Sequence, residues 1–454
     1  MGHRYFSFIT VLLLAAQALA GLSAAGIEDG RPQDVSPREP QPKVPDYVLK
    51  HAPLVWLHPE DPFRPSDLLE HVRRTTPMSA YKPIPDVPEL NLDNLAVLNT
   101  AKGGPGALTS KDNVTAVPSW LLGEMPDEKG IIHNSTACVV LLIEKSPEIT
   151  DVFYWYFYSY NRGANITWVV EPFNRIFGAH PPSFHFGDHV GDWSTREHNM
   201  IRFKNGEPTG LYYSQHDGGA SFDWNDLAIS KREGMRPFSY SAYGSHANYV
   251  TEGWVTLMLF SYLWCLTVNR DHLHNVVLID WCKAGHLWDP VESAFFYRYD
   301  PKSSTFTSLS REGSNDPTLA KSDSFIYYKG LWGDEKYPDT NPDQATVPYF
   351  GLKRFVSGPT GPVMKALIRN GLGPNGGAKR SWPEWIVAVF MFWYPCCIRG
   401  WRKWMSLMMF MSCAMLVGFG GYRILVKKRL QKQKYSKLET EIPLDELERE
   451  NVSR

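Results

Sequence analysis

Residues 186–203 read FGDHVGDWSTREHNMIRF, followed by YYSQHDGG at 212–219 and SYSAYGSHANYV at 239–250. Short runs of aromatic and apolar residues broken by Gly, Asn and Asp are the pattern of strands joined by tight turns. The runs at 201–203 and 211–214 face each other across Lys204-Asn-Gly-Glu207, and Asn-Gly between two such runs predicts a hairpin. The same stretches crowd His189, Asp192, Glu197, His198, His216, Asp217 and His246 onto neighbouring strands. Imidazoles and carboxylates gathered in this way suit a hard cation or acid-base chemistry, and singly each suits a hydrogen-bonded strand end.

Outward from this region the chain keeps the same texture. Strands are expected at 52–57, 139–142, 152–160, 238–243 and 276–279, and Ser66 is placed to cap a short helix over 67–73. Residues 327–334 and 358–362 read as tight turns covering one edge of the sheet. Aromatic content is high, with 16 Trp, 22 Tyr and 23 Phe in 454 residues. Pro and Gly recur between short runs, so the expected class is mainly β, a β-sandwich-like lumenal domain over 46–380 with short helices. Residues 21–45 read as a flexible, Pro-rich leader. A net charge of −1 offers no electrostatic case for a nucleic-acid partner.

The ends indicate a place in the cell. Residues 1–20 combine His3 and Arg4, an apolar run and an Ala18-Leu19-Ala20 triplet, the form of a cleaved signal peptide. Residues 405–422 carry no charge, and 404–426 reads as one C-terminal transmembrane helix. Basic residues are denser after it than before it, which places 427–454 in the cytosol as the tail of a single-pass type I protein. Residues 381–403 read as an aromatic segment lying at the interface. Asn113, Asn134 and Asn165 head sequons in the lumenal part. Tyr435 and Leu438 have the spacing of a sorting signal read by clathrin adaptors.

Cysteines sharpen one anomaly. Cys396 and Cys397 stand beside the membrane as palmitoylation candidates and Cys413 within it, leaving Cys138, Cys265 and Cys282 in the lumen. The odd count coincides with an odd segment, 254–270, of which 254–268 is almost continuously apolar inside polar, loop-like surroundings. It reads as an unspliced intron translated in frame, and without it Cys138 and Cys282 remain as a candidate disulfide pair. Residues 194–196 raise the same question, because they separate Asp192 from Glu197 by an odd spacing that puts the two on opposite faces of a strand.

The set APLVWLHPEDPFRPSDL (52–68), HVGDW with a following Glu-His, YYSQHDGG, YSAYGSHANY, LWDP (287–290), KGLWGD (329–334) and GPTGP (358–362) resembles the fungal vacuolar protein sorting-associated protein family, sixty-two type. Plants have related proteins of unknown function. The resemblance covers about residues 46–375 and implies a role in delivering proteins to the vacuole, with a vacuolar or endosomal membrane as the place of residence. A more remote likeness is to the necrosis- and ethylene-inducing secreted proteins, whose cation-binding heart matches only His189, Asp192, Trp193 and Glu197. It implies a divalent cation on these residues, Glu197 matching once 194–196 are skipped, and it agrees with the residues themselves, since one His and two carboxylates, His189, Asp192 and Glu197, suit Mg, Ca or Mn.

Two functional classes follow. One is a non-enzymatic, membrane-anchored sorting factor whose lumenal domain binds cargo proteins or glycans, with His216, Asp217 and His246 as candidate ligand-binding residues. The other is a metal-dependent lumenal hydrolase with His216 or His246 as general base. No GxSxG elbow, P-loop or HExxH motif is present, so nucleophilic-serine, nucleotide and zincin chemistry find no support. A diffusible, membrane-acting toxin is disfavoured by the permanent anchor.

Overall fold

The computed structural model describes residues 42–165, 185–193, 198–215, 218–254, 280–311, 323–346, 351–374 and 401–441. Residues 1–41, Glu197 with 194–196, His216, Asp217, the segment 255–279 with its expected strand 276–279, residues 381–400, and 442–454 lie outside them.

α1 (Asp46–Lys50) leads to β1 (Leu54–Leu57), and a turn then delivers the chain to α2 (Leu68–Arg73). The cap of α2 is Asp67 rather than Ser66: the Asp67 carboxylate accepts from the Glu70 amide at 2.7 Å. The Ser66 hydroxyl instead donates to the Arg64 carbonyl. A small sheet of Thr75–Ser79, Lys82–Pro83 and Ala107–Ser110 follows.

The main run of strands is β2 (Cys138–Ser146), β3 (Ile149–Tyr156), β4 (Tyr158–Asn161), β5 (His189–Asp192), β6 (His198–Lys204), β7 (Glu207–Gln215) and β8 (Gly218–Asp223). Then come β9 (Arg236–Ser241), β10 (His286–Trp288), β11 (Ala294–Asp300) and β12 (Thr305–Ser308). Seven of these form one sheet in the order β8-β7-β6-β3-β2-β11-β12. All its pairings are antiparallel except β2 with β11. The expected hairpin is present, with Asn205 and Gly206 at φ 53° and 79° between Lys204 and Glu207. Two residues with positive φ give the turn whose twist matches the strands.

Both faces of this sheet are buried. Val140, Leu142, Val152, Tyr154 and Tyr156 point into one apolar cluster, which also holds Val55 and Leu57 of β1 and Trp288 of β10. Val139, Leu141, Ile143, Phe153 and Trp155 point into another, with Leu68, Leu95, Phe325 and Trp332. Near-continuous apolar strands are what two buried faces require, and each buried Leu or Phe contributes about 1.5–3 kcal/mol. β1 lies between β9, parallel, and β10, antiparallel, in a smaller sheet. Arg236 fastens that sheet by pairing with both oxygens of Asp289 at 2.6 and 2.7 Å.

Several expectations are corrected. The strand expected over 152–160 breaks at Phe157, whose amide donates to the Ala137 carbonyl and whose carbonyl accepts from Ser66. The end of the leader is part of the fold: Val44 is buried and its amide donates to Ser310. Residues 327–334 do more than cover an edge, because Trp332 is fully buried in the core. Cys138 and Cys282 are free thiols buried in different clusters, so the expected disulfide is not formed. α3 (Trp401–Glu441) contains the uncharged run 405–422 and extends through Tyr435 and Leu438. No helix among the described residues is long and apolar enough to cross a membrane, and part of that run lies outside the described side chains.

His71 ties three parts of the fold together. Its Nε2–H donates to the Trp332 carbonyl at 2.9 Å and its Nδ1 accepts from the Ser159 hydroxyl at 3.1 Å. Burial pushes its pKa down to about 4 against the Trp332 carbonyl, which works in the other direction. The neutral ring belongs to the folded state, while the unfolded chain takes up a proton below its ordinary value near 6.5. Stability from this group is therefore full above about pH 6.5 and lost as pH falls towards about 4, by roughly 3 kcal/mol. Urea unfolding at pH 7 and pH 4.5 checks this: His71→Gln should flatten the difference, and an unchanged difference would contradict the assignment.

Candidate functional site

β5 is held against β4, with His189 opposite Asn161 and Asp192 opposite Tyr158. Gly191 lies between them at φ 68°, and a Cβ there would fall 1.8 Å from the Trp332 carbonyl oxygen. Only glycine fits that left-handed position under such an approach, which explains the Gly of the HVGDW run. Trp193 follows as a fully buried ring packed on Phe157 and Trp332.

Asp192 is fully buried and organises the site. Its Oδ2 accepts from the Asn161 amide at 2.9 Å and from His246 Nδ1–H at 3.0 Å. Its Oδ1 lies 3.7 Å from His189 Nε2. Burial works to raise the carboxyl pKa, but the facing imidazoles of His189 and His246 outweigh it and hold the group well below the usual carboxylate range.

His246 arrives from the turn after β9, at φ 53°, with its amide donating to Ala242. Its ring stacks on Tyr158 at 3.8 Å with 3° between the planes. Its Nε2 lies 3.6 Å from Asp61 Oδ2, which accepts from the Gly244 amide at 2.7 Å. Asp61 Oδ1 accepts from the Phe63 amide, closing the turn after β1. The result is a row, His189, Asp192, His246, Asp61, in which bases and acids alternate at 3.7, 3.0 and 3.6 Å. The row draws on the turn after β1, on β5, and on the turn after β9.

The structure thus brings together His189, Asp192 and His246 among the residues expected from sequence. His198 stands apart, fully buried, with Nε2 2.8 Å from the Arg369 guanidinium. His246 is buried too, so it serves Asp192 rather than an open ligand surface. Asp61, Asn161 and Tyr158 belong to the site without having been singled out. Asp61 had a signal, the Asp-Pro turn in HPEDPFRP, and Asn161 had none beyond its place at a strand end. Among the described residues no group of three or more His, Cys, Asp and Glu side chains is arranged to hold a metal ion. His189 and Asp192 supply two of the three expected donors, and Glu197 lies outside the described residues.

Residues 128–280 match the family described as Vacuolar protein sorting-associated protein 62. Two proteins of Saccharomyces cerevisiae carry the likeness further along the chain. TDA6, whose name links it to vacuolar protein sorting, is 29% identical over 377 residues, 76% of this chain and 70% of that protein. Vacuolar protein sorting-associated protein 62 is 28% identical over 355 residues, 72% of this chain and 67% of that protein. The resemblance read from the motifs therefore holds over most of the chain. No solved structure matches.

Asp192→Leu removes the oxygen on which the Asn161 amide and His246 Nδ1–H both donate and leaves two buried donors unpaired, so it should cost roughly 3 kcal/mol in urea unfolding. His189→Gln, at the half-buried end of the row, should cost less than about 1 kcal/mol. Equal costs for the two would mean that Asp192 does not organise the site.

Proposed function

We propose that this chain is a single-pass membrane protein of the secretory and vacuolar pathway that takes part in targeting proteins to the vacuole through its lumenal β-rich domain. The observation that carries this is the likeness, over 72% to 76% of the chain, to two yeast proteins named for vacuolar protein sorting. The chain's own features agree with it. An apolar N-terminal run precedes a small-residue triplet, and an uncharged run of membrane-spanning length lies within α3. The sequon asparagines Asn113 and Asn134 are exposed, as acceptors must be. On this reading the lumenal domain binds cargo proteins or glycans without chemistry of its own. Tyr435 and Leu438 then offer the tail to a clathrin adaptor.

Expressed in Saccharomyces cerevisiae with a C-terminal fluorescent tag, the protein should mark the vacuolar or endosomal membrane and gain mobility on gels after glycosidase treatment. Tyr435→Ala combined with Leu438→Ala should move it to the cell surface. A diffuse cytosolic signal from a glycosidase-insensitive protein would refute the topology.

A divalent cation, Mg, Ca or Mn, held by His189, Asp192 and Glu197 is a second proposal. Its support is local: His189 Nδ1 bonds the Gly187 carbonyl at 2.8 Å, which aims Nε2 at Asp192 Oδ1, 3.7 Å away. An imidazole nitrogen and a carboxylate oxygen facing each other suit a hard cation. A cation bound there would activate water for hydrolysis of a lumenal substrate. Elemental analysis of the purified chain should find one cation per molecule, lost in His189→Ala; a metal-free folded protein would dispose of the proposal.

A further inference from the structure

A cavity of about 300 Å³ opens between the end of α2, the strand Thr75–Ser79 and the segment 84–90, and shares no lining residue with the row around Asp192. Its floor is apolar, made by the buried side chains of Val72, Ile84 and Leu90. Its rim carries Arg73 and Lys111 against one carboxylate, Glu89. Lys111 is pinned at this rim: its amide donates to the Arg74 carbonyl at 3.0 Å and its ammonium to the Arg73 carbonyl at 2.6 Å. The Arg73 guanidinium makes no hydrogen bond or ion pair with the described residues, whereas its neighbour Arg74 is engaged by Glu70 at 2.7 Å.

A cavity at the small end of the ligand-binding range, with a dry floor and a cationic rim, fits a short amphiphile carrying one negative group. We propose that this cavity binds a free fatty carboxylate of octanoate size, its head on Arg73 and Lys111 and its chain on Val72, Ile84 and Leu90. Glu89 repels a second negative charge, so the site selects a single carboxylate over a more highly charged head. Arg73, Lys111 and Glu89 together present net charge +1 to the ligand, and the floor supplies the length dependence. Each methylene that enters the cavity should tighten binding about four-fold.

The test uses the full chain in lipid nanodiscs and an octanoate analogue bearing a terminal diazirine. Irradiation should label peptides within residues 72–90, and octanoate should compete at least ten-fold better than octanol. Hexanoate should compete more weakly than octanoate by roughly the square of the single-methylene factor. Arg73→Glu with Lys111→Glu alters two exposed side chains, so circular dichroism should report an unchanged fold while labelling falls ten-fold or more. Label confined to other peptides, equal competition by octanol, or full labelling of the folded double variant would each overturn the assignment.

Discussion

Burial of both faces of the central strands β2, β3 and β6 leaves the polar side chains in the middle of the sheet no solvent side to turn to, and much of the structure answers that constraint. Asp151 in β3 is fully buried and is met by both arms of Arg202 at 2.6 and 2.8 Å, with Lys145 at 3.7 Å. His198 in β6 meets Arg369, whose guanidinium also lies over the rings of Phe153 and Tyr212. Burial lowers the Arg369 pKa to about 10, and burial followed by the adjacent guanidinium lowers that of His198. Arg202 and Lys145 reach on to the carbonyls of residues 369–371. A buried ion pair is weak support for stability by itself. Here the cations also act through backbone carbonyls, which with the Arg369 side chain fixes the path of residues 369–371.

The candidate site exists because β3 leaves this sheet. At Phe157 the backbone bonds to Ala137 and Ser66 instead of to β6, and the next four residues form β4. That places Tyr158 and Asn161 beside β5, outside the ladder whose faces are fully packed. A carboxylate can be buried there only if donors surround it, and Asn161 with His246 supplies them. The close approach of Gly191 to Trp332 then sets the depth of β5, and the Trp193 ring locks its end into the aromatic core.

Much of this was legible in the sequence, and the losses have physical causes. The strand run at 139–142, the first part of the run expected over 152–160 and the hairpin at Asn205-Gly206 were readable because local residue types decide them. The break at Phe157 was not, since the residues on both sides are equally apolar and aromatic and the hydrogen bonds that divide them are long-range. The cap of α2 was misplaced by one residue because Ser66 and Asp67 are both good caps and only the tertiary bond from Ser66 to Arg64 separates them. Pairing Cys138 with Cys282 assumed that parity implies contact. The thiols instead behave as small apolar side chains in separate clusters. The clustering of His189, Asp192 and His246 was a true signal of proximity. Asp61 was missed as their partner because it lies far away in sequence.

The alternating row poses a choice between architecture and chemistry, and exposure decides how far each applies. Asp192, His246 and Asp61 are all but inaccessible, so their work is to join the turn after β1, the turn after β9 and β5. An apolar cluster of the same volume would join them at no desolvation cost. What it would not supply is direction: the His246 imidazole lies between the Asp192 and Asp61 carboxylates in one orientation, which fixes the two turns relative to β5. His189 differs from the other three, with 14% of its side chain in solvent. Any cation or ligand that uses the row must therefore enter at His189, and the three buried groups behind it set the charge and tautomer that such a partner meets.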